Sequence, residues 1–366
     1  MRQEAKLADS RCMTQSATPL ATRLTRGYGI RYPFVGAGMG FIAHERLAAA
    51  VTNAGGLGFI GATPDPPASL PAMVQQLRQH TTGPFGVDLI CADLPQGPAT
   101  TDEHIEHCLE LGVKLVAFHH DAPPRRWVER LAAAGARVWF QASSIELASA
   151  AVELGVDGVI AQGSEAGGHC RSTVPRDELV TQLRGRFPEL LLLAAGGIAS
   201  GQQVASALEA GADGVWVGTR LVASEEANAH PEYKRRLVES TGETLVSTAF
   251  GPEWPNERYR MLALRTVRNW AGREHEIPNP PPGPAVIGQT RLFPHSVNLE
   301  YAMPKFSAIP PTPETTGDWE EMAMPAGQSV SFIRAVQPAA EIVEEMMTAA
   351  RALLERVAVD RAPLAV

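Results

Sequence analysis

The sequence predicts an α/β protein: a (β/α)8 TIM barrel with a smaller irregular C-terminal lobe inserted before the last helix. Short apolar runs alternate with amphipathic stretches from residue 32 to residue 217, and eight of these runs are strand candidates. A motif also repeats, as ELGVDGV at 153–159 and EAGADGV at 209–215, at a distance that fits two βα units. Strands that alternate with helices pair in parallel, and eight units close most economically into a barrel. An open doubly wound sheet is the alternative, because periodicity does not report closure.

The eight strand candidates are predominantly apolar, as expected for strands buried on both faces. In chain order they are residues 33–37, 57–60, 85–90, 114–118, 137–140, 157–161, 190–194 and 213–217. Between them lie stretches with apolar residues at helical spacing, for example Val204, Ala207 and Leu208 on one face. These stretches predict the helices of the barrel.

Helix starts and ends are marked by their usual residues. Capping-box patterns predict helix starts at Ser143, with Glu146, and at Ser200, with Gln203. Glycines that favour a left-handed conformation predict helix ends at Gly112, Gly155 and Gly211.

The pattern changes after residue 240. Proline-rich stretches at 277–284 and 309–318 exclude long regular helices. Pro338 then begins a final helix, in which Met346 and Met347 are expected to pack in the core rather than contact a cofactor. The predicted organisation is a flexible N-terminal arm (1–26), a barrel domain (27–240 and 331–366) and a smaller substrate-covering lobe (241–330).

Composition excludes several classes of partner. The 40 acidic residues outnumber the 32 basic ones, and no run of Lys or Arg is present, so nucleic acid is not an expected partner. No apolar stretch approaches the roughly 18 residues of a membrane span, and the N-terminus lacks the apolar region of a signal peptide. The four cysteines, Cys12, Cys91, Cys108 and Cys170, form no CxxC pair. A cytoplasmic protein with reduced thiols is expected.

Two consecutive loops suggest a phosphate site. Barrels of this kind hold phosphate after strands seven and eight. Gly196 and Gly197 follow the seventh strand and lead into a helix, so backbone N–H groups lie at the positive end of its dipole. Gly218 and Thr219 follow the eighth strand and add N–H donors and a hydroxyl. The glycines could simply make tight turns, but two such loops at the expected places favour phosphate binding.

The loop after the sixth strand, AQGSEAGGH at 161–169, sets a histidine among small residues. His169 titrates near neutrality and can approach a ligand closely, so it suits a general base or a hydrogen-bond donor to an anion. A structural histidine is the alternative. We expect Glu165 to orient the loop rather than to take part in catalysis.

Two further loops reach the same rim. The first, GAGMG at 36–40, has no bulky side chain to obstruct a flat ring, and Met39 would lie against that ring or fill the barrel mouth. His119 and His120 end the fourth strand. Because adjacent strand residues point in opposite directions, at most one of them should contact a ligand.

Other patterns predict no site. GLGFIG at 56–61 matches GxGxxG, but it contains a strand instead of following one, so it is not a dinucleotide fingerprint. His104 and His107 lack a third ligand nearby, and no metal site is expected there. The absence of a Walker A loop and of a GxSxG elbow disfavours NTPases and serine hydrolases.

At these loops the sequence resembles the nitronate monooxygenase family, formerly called the 2-nitropropane dioxygenases. The 161–169 loop is similar to the family's signature loop. The resemblance continues through LAAAVTNAGGLGFIG (47–61), LAAGGIASG (193–201), GADGVWVGTRLVASEEA (211–227) and AGQSVSFI (326–333). It covers most of residues 30–240 and the end of the chain. The family consists of FMN enzymes on a barrel of this kind, so the resemblance implies an FMN cofactor and no metal.

The resemblance also implies roles for individual positions. His169 matches the catalytic histidine, Gln162 and Gly167 match flavin contacts, and Gln328 lies in a motif near the flavin. The cofactor-binding positions implied in this way, or expected from the loops, are Ala37, Gly38, Met39, Asp88, Gln141, Gln162, Gly167, Gly168, Gly196, Gly197, Trp216, Val217, Gly218, Thr219 and Gln328.

Two positions differ from the common family pattern. Gly38 stands where a proline is frequent in the first loop, and Asp88 stands where an asparagine is frequent after the third strand. An ionised Asp88 would place an anion near the flavin, where it would alter the electronics of the ring or reject an anionic substrate.

Three functions follow as hypotheses. The first is an FMN-dependent nitronate monooxygenase that oxidises alkyl nitronates with molecular oxygen to a carbonyl compound and nitrite. The second is an NAD(P)H-dependent flavin reductase of the quinone or enoyl-ACP reductase type, with its nicotinamide site in the 241–330 lobe. The third is a phosphate-binding barrel without redox chemistry. A small-molecule substrate is expected in each case, and a homodimer is left open.

Overall fold

The structure, a computed structural model, describes residues 19–251 and 253–360, and its main feature is a parallel eight-stranded sheet. The bounds of all eight strands agree with the predicted runs to within two residues. They are β1 (Phe34–Gly36), β2 (Gly58–Gly61), β3 (Phe85–Cys91), β4 (Leu115–His120), β5 (Arg137–Ala142), β6 (Gly158–Gln162), β7 (Leu191–Ala195) and β8 (Gly214–Val217). From β2 to β8 each strand pairs in parallel with the next one in sequence, and β8 pairs in parallel with β1.

The sheet closes between β1 and β2. Leu57, just before β2, forms a parallel bridge with Val35. Its N–H donates to the carbonyl of Phe34, and the N–H of Gly36 donates to its carbonyl, both at 2.9 Å. The predicted barrel is therefore confirmed, and the open sheet is excluded.

Both faces of the barrel strands are buried. Along β7 the side chains of Leu193 and Ala195 belong to the cluster that fills the barrel, while Leu192 and Ala194 belong to the larger cluster between strands and helices. A strand buried on two sides needs apolar residues at every position, which explains its uninterrupted apolar sequence.

Twelve α-helices surround and extend the barrel in the described part of the chain. They are α1 (Arg23–Tyr28), α2 (Glu45–Asn53), α3 (Leu70–His80), α4 (Asp102–Glu110), α5 (Arg125–Ala133), α6 (Ile145–Leu154), α7 (Arg176–Arg186), α8 (Gly201–Glu209), α9 (Thr219–Val222), α10 (Pro231–Glu239), α11 (Arg265–Trp270) and α12 (Ala339–Asp360).

The predicted helix ends are largely confirmed. Ser200 precedes α8, and Gly112, Gly155 and Gly211 all have positive φ after their helices. One helix start was wrong by a residue. Ser144, not Ser143, precedes α6, and its Oγ accepts from the N–H of Leu147 at 3.3 Å.

The last helix completes the ring of helices. It begins directly after Pro338, as predicted, and packs between α8 and α2. Met346 and Met347 are buried in the core, as expected. Gly201 permits the close approach, because a Cβ added there would lie 2.5 Å from the Cβ of Ala349.

The segment 241–330 is less irregular than expected, since it contains antiparallel sheet as well as loops. One sheet joins β9 (Thr244–Ser247), β10 (Tyr259–Leu262) and the two-residue strand Gly168–His169 of the barrel. The other joins β11 (Val286–Leu292), β12 (Leu299–Pro304) and residues 316–317. These strands are difficult to recognise in the sequence, because proline-rich loops of uneven length separate one strand from the next.

The predicted arm needs a correction at its end. Residues 1–18 and Cys12 lie outside the described residues, as do residues 361–366. Residues 19–26, however, are part of the barrel domain: Leu20 is buried, and Leu24 of α1 packs into the barrel interior. Apolar side chains there cover the amino-terminal end of the barrel. No helix of the described chain has both the length and the apolarity that a membrane span requires.

Candidate active site

A cavity of about 670 Å³ lies at the carboxyl ends of the barrel strands, where barrels of this kind carry their active sites. The βα loops form one side. Residues of the 241–330 segment form the other, among them Trp254, Tyr259, Leu292 and Phe293. Fourteen of the sixteen predicted site residues line this cavity: Ala37, Gly38, Met39, Asp88, Gln141, Gln162, Gly167, Gly168, His169, Gly196, Gly197, Trp216, Gly218 and Thr219.

Two predicted site residues have side chains outside the cavity. Val217 packs between the barrel and the helices, because the strand pleat turns Trp216 inward and Val217 outward. Gln328 is exposed and lines a separate depression with Glu165 and Arg176, while its neighbour Ser329 lines the main cavity.

The two glycine loops meet at one side of the cavity. Gly196 and Gly197 both have positive φ, 106° and 69°, a conformation that other residues adopt only with strain. The Arg176 guanidinium donates to the Gly196 carbonyl at 2.9 Å and fixes the first loop. Within residues 19–251 and 253–360, the N–H groups of Gly197 and Gly218 donate no hydrogen bond. Both loops therefore present free backbone donors at the cavity.

Glu165 orients the neighbouring loop, as expected. Its carboxylate accepts from the N–H of Arg176, the first residue of α7, with the shorter distance 3.0 Å. Gly167, in the same loop, is needed for close packing, since a Cβ there would lie 2.4 Å from the nitrogen of Gly327. The signature loop is thus clamped between α7 and the 326–333 motif.

The two departures from the common family pattern are in contact. A Cβ added at Gly38 would lie 2.2 Å from the Cβ of Asp88, so no larger residue fits beside this aspartate. Burial raises the pKa of Asp88, and the imidazole of His119, whose Nδ1 lies 3.1 Å from Oδ1, opposes that rise. The shared hydrogen bond reduces the negative charge that Asp88 presents to the cavity.

His169 lies at the centre of an aromatic wall. Its Nε2 is 2.7 Å from the hydroxyl of Tyr259, and its ring centroid lies 4.6 Å from that of Trp254. Its Nδ1 has no hydrogen-bond partner in the described part of the chain. Burial is the main cause that lowers the pKa of His169 well below the usual value, and the nearby rings of His119 and His120 lower it further. The imidazole is therefore neutral at neutral pH.

Sequence reasoning missed Tyr259 and Trp254. Tyr259 lies directly opposite His169 in the antiparallel pairing of β10 with Gly168–His169, and this pairing brings hydroxyl and imidazole together. No local signal reveals a contact across ninety residues. The segment GPEWPNERYR (251–260) carries two prolines and no strand-like alternation, although its two aromatic residues were the available hint.

Only one of the two adjacent histidines faces the cavity, as expected. His119 lines it, whereas the His120 ring is turned away and its Nε2 lies 3.1 Å from Glu257. Glu257 is also paired with Arg171 at 2.7 Å. These neighbours lower the pKa of Glu257 to about 2 against the effect of its burial. The charged side chains of Glu257 and Arg171, together with His120, therefore support the cavity wall behind His169.

Comparison with known proteins agrees with this geometry. The sequence profile of the nitronate monooxygenase family matches residues 21–349. A nitronate monooxygenase of Pseudomonas aeruginosa is 33% identical over 261 residues, which are 60% of this chain and 74% of that protein.

Two solved structures are similar over nearly the whole chain. FabK from Thermotoga maritima has a TM-score of 0.76 at 30% identity and covers 93% of this chain and 99% of its own. A nitroalkane oxidase from Streptomyces ansochromogenes has a TM-score of 0.72 at 27% identity, with 92% and 100% covered. A barrel without redox chemistry is thereby excluded. The chain belongs to the nitronate monooxygenase family and is a flavin oxidoreductase.

Proposed function

We propose that this chain is an FMN-dependent nitronate monooxygenase, which oxidises alkyl nitronates with molecular oxygen to a carbonyl compound and nitrite. The observation that carries the proposal is the neutral imidazole of His169, which shares one cavity with the two glycine loops. Family membership and the similarity to a nitroalkane oxidase support the same substrate class.

The residues of the cavity fit FMN. Its volume lies in the range of small-molecule and cofactor sites. The free N–H groups of Gly197 and Gly218 would hold the phosphate, and a Cβ at Gly218 would point at the sulfur of Met39, 3.5 Å away, so a side chain would enter this space. Bound FMN would supply the redox chemistry, taking electrons from the substrate and delivering them to oxygen.

His169 would bind the substrate through Nδ1. A nitronate is already an anion that has lost its α proton, so it needs a hydrogen-bond donor rather than a base. If the Tyr259 hydroxyl donates to Nε2, the ring proton lies on Nδ1 and faces the cavity as that donor. The apolar surface of Trp254 and Leu292 keeps water away and strengthens this hydrogen bond. We further propose that the 241–330 segment is the lobe that covers the substrate.

Replacing the imidazole tests the proposal. We expect His169→Asn to lower oxygen uptake with preformed alkyl nitronates by about 10²-fold or more, the usual cost of removing one preorganised hydrogen-bond donor to an anion. Its FMN content should stay unchanged, because the phosphate loops are intact. His275→Asn, an exposed histidine, is the matched control. Unchanged turnover in His169→Asn would show that the assigned role is wrong.

The likeness to FabK supports a second candidate, an NAD(P)H-dependent reductase of enoyl-ACP or quinone type. The aromatic and aliphatic side chains that the 241–330 segment contributes to the cavity would then receive the nicotinamide. Anaerobic mixing with NADH or NADPH distinguishes the two candidates. Rapid bleaching of the flavin by a nicotinamide favours the reductase, and its absence favours the nitronate monooxygenase.

A further inference from the structure

A second cluster of ionisable side chains lies away from the catalytic histidine. His44 immediately precedes α2, Glu45 begins that helix, and His295 lies in the turn between β11 and β12. One ligand atom from each residue lies within 4.8 Å of the others. The Nε2 of His295 is 3.3 Å from Oε2 of Glu45, and the two imidazole centroids are 5.2 Å apart. Three metal-ligating side chains thus meet from two distant parts of the chain.

Several buried polar atoms in this cluster lack a partner. His44 is 7% exposed and Asp65, which interacts electrostatically with His295, is 2% exposed. Among residues 19–251 and 253–360, no group hydrogen-bonds Nε2 of His44 or either carboxylate oxygen of Asp65. His44 also makes no side-chain cap for α2, although it holds the capping position. An unpaired polar group is costly to bury, so the unpaired Nε2 of His44 beside Glu45 and His295 indicates a missing partner.

We propose that His44, Glu45 and His295 bind one divalent transition-metal ion. Two imidazoles with a carboxylate are a ligand set typical of Zn²⁺. Tetrahedral bonds of about 2.1 Å set ligand atoms roughly 3.4 Å apart, a separation that Glu45 and His295 already have. Binding would draw the His44 nitrogen, which lies within 4.8 Å of the other two ligand atoms, in by no more than about 1.4 Å.

The ion would have a structural role. The side chains of His295 and Glu45 are only 9% and 11% exposed, so solvent and substrate would have little access to the ion. The same turn makes two other contacts with the barrel: Ser296 Oγ lies 2.7 Å from Ser69 Oγ, and Phe293 stacks on Phe41. Because Phe293 lines the catalytic cavity, the ion would fix part of the cavity wall to the barrel.

Zinc titration of the full chain tests this site. After removal of metals with a chelator, we expect the wild type to bind one Zn²⁺ per chain, measured by elemental analysis after gel filtration, and to melt at a higher temperature. His295→Ala should weaken Zn²⁺ binding at least tenfold and lose the rise in melting temperature. His275→Ala, a 79% exposed histidine of the same segment, should behave like the wild type.

Cobalt gives a second measurement that does not depend on activity. Co²⁺ at this site should show the visible absorption of a tetrahedral complex, and Glu45→Gln, which keeps the size of the side chain, should abolish it. The flavin content of each variant reports that the barrel is folded. The proposal fails if the wild type binds neither ion, or if His295→Ala and Glu45→Gln bind both ions as the wild type does. The cluster would then be a hydrated His–Glu ion pair.

Discussion

At the scale of single residues, the surroundings of His169 decide what the cavity can do. Burial keeps the ring neutral, and Tyr259 engages one of its two nitrogens. The remaining nitrogen is the polar group available to a ligand in an aromatic wall. The sequence was sufficient to single out His169, because its loop is rich in small residues. Tyr259 could not be found in this way, since its position depends on a strand pairing between distant segments.

The first prediction concerns pH. Because the pKa of His169 lies well below 6.5, the ring stays neutral as pH falls through 6.5 and becomes protonated only in more acid solution. We expect kcat/KM for a preformed nitronate to show no inflection near 6.5 and to change only on the acid side of it. A profile between about pH 5 and pH 8 checks this. A transition centred on 6.5 that is missing in His169→Asn would contradict the assigned environment.

The second prediction concerns Tyr259. Removing its hydroxyl in Tyr259→Phe frees the second ring nitrogen, so the proton on Nδ1 is no longer fixed. We expect kcat to fall about tenfold, the size of one lost hydrogen bond, with a smaller change in KM and a shifted acid limb of the pH profile. Tyr28→Phe is the matched control, because its hydroxyl accepts from Trp139 at 2.7 Å outside the cavity. Equal pH profiles for the wild type and Tyr259→Phe would rule out a positioning role.

At the scale of elements, a strand or loop can be predicted from the sequence when the features that determine it lie within its own segment of the chain. Strand β7 is fully apolar because both its faces are buried, and a run of this kind is visible in the sequence. The glycine loops after β7 and β8 were equally visible, since position along the barrel fixes their place. Strand β10 was not, because it is short and pairs with residues far away in sequence. The outward direction of the Val217 side chain follows from the pleat, which resemblance by position does not resolve.

The third prediction concerns the loop after β7. Gly197→Ala places a Cβ 3.0 Å from that of Glu165 and strains a backbone with φ 69°. We expect FMN affinity to fall at least tenfold, because the N–H donors move away from the phosphate. Gly155→Ala, with φ 88° and open space around it, should lose similar stability, about 1–2 kcal/mol, without affecting FMN binding. Fluorescence titration with FMN measures both variants, and equal affinities would contradict the assigned loop.

The fourth prediction concerns α12. Met347 is fully buried between α12 and the barrel, so Met347→Ala should lower the free energy of unfolding by about 2–5 kcal/mol. Val359, on the same helix, is 73% exposed, and Val359→Ala should change it by no more than about 0.5 kcal/mol. Chemical denaturation gives both values. A comparable loss in the two variants would mean that α12 is not an integral part of the core.

At the scale of the whole molecule, the barrel supplies the two glycine loops and His169, and the 241–330 segment supplies the opposite wall. The barrel was predictable from periodicity and from resemblance, whereas the shape of the cavity was not, because part of its wall comes from the proline-rich 241–330 segment. The contact between Gly38 and Asp88 shows that two departures from the family pattern form one local arrangement beside the cavity.

Anaerobic rapid mixing of the FMN-loaded enzyme with a preformed alkyl nitronate tests the central claim most directly. We expect the visible absorption of the flavin to bleach, to return on addition of oxygen with release of nitrite, and to bleach at least 10²-fold more slowly in His169→Asn. Mixing with NADH or NADPH should leave the absorption unchanged. A flavin that is bleached by a nicotinamide but not by any nitronate would contradict the proposed function.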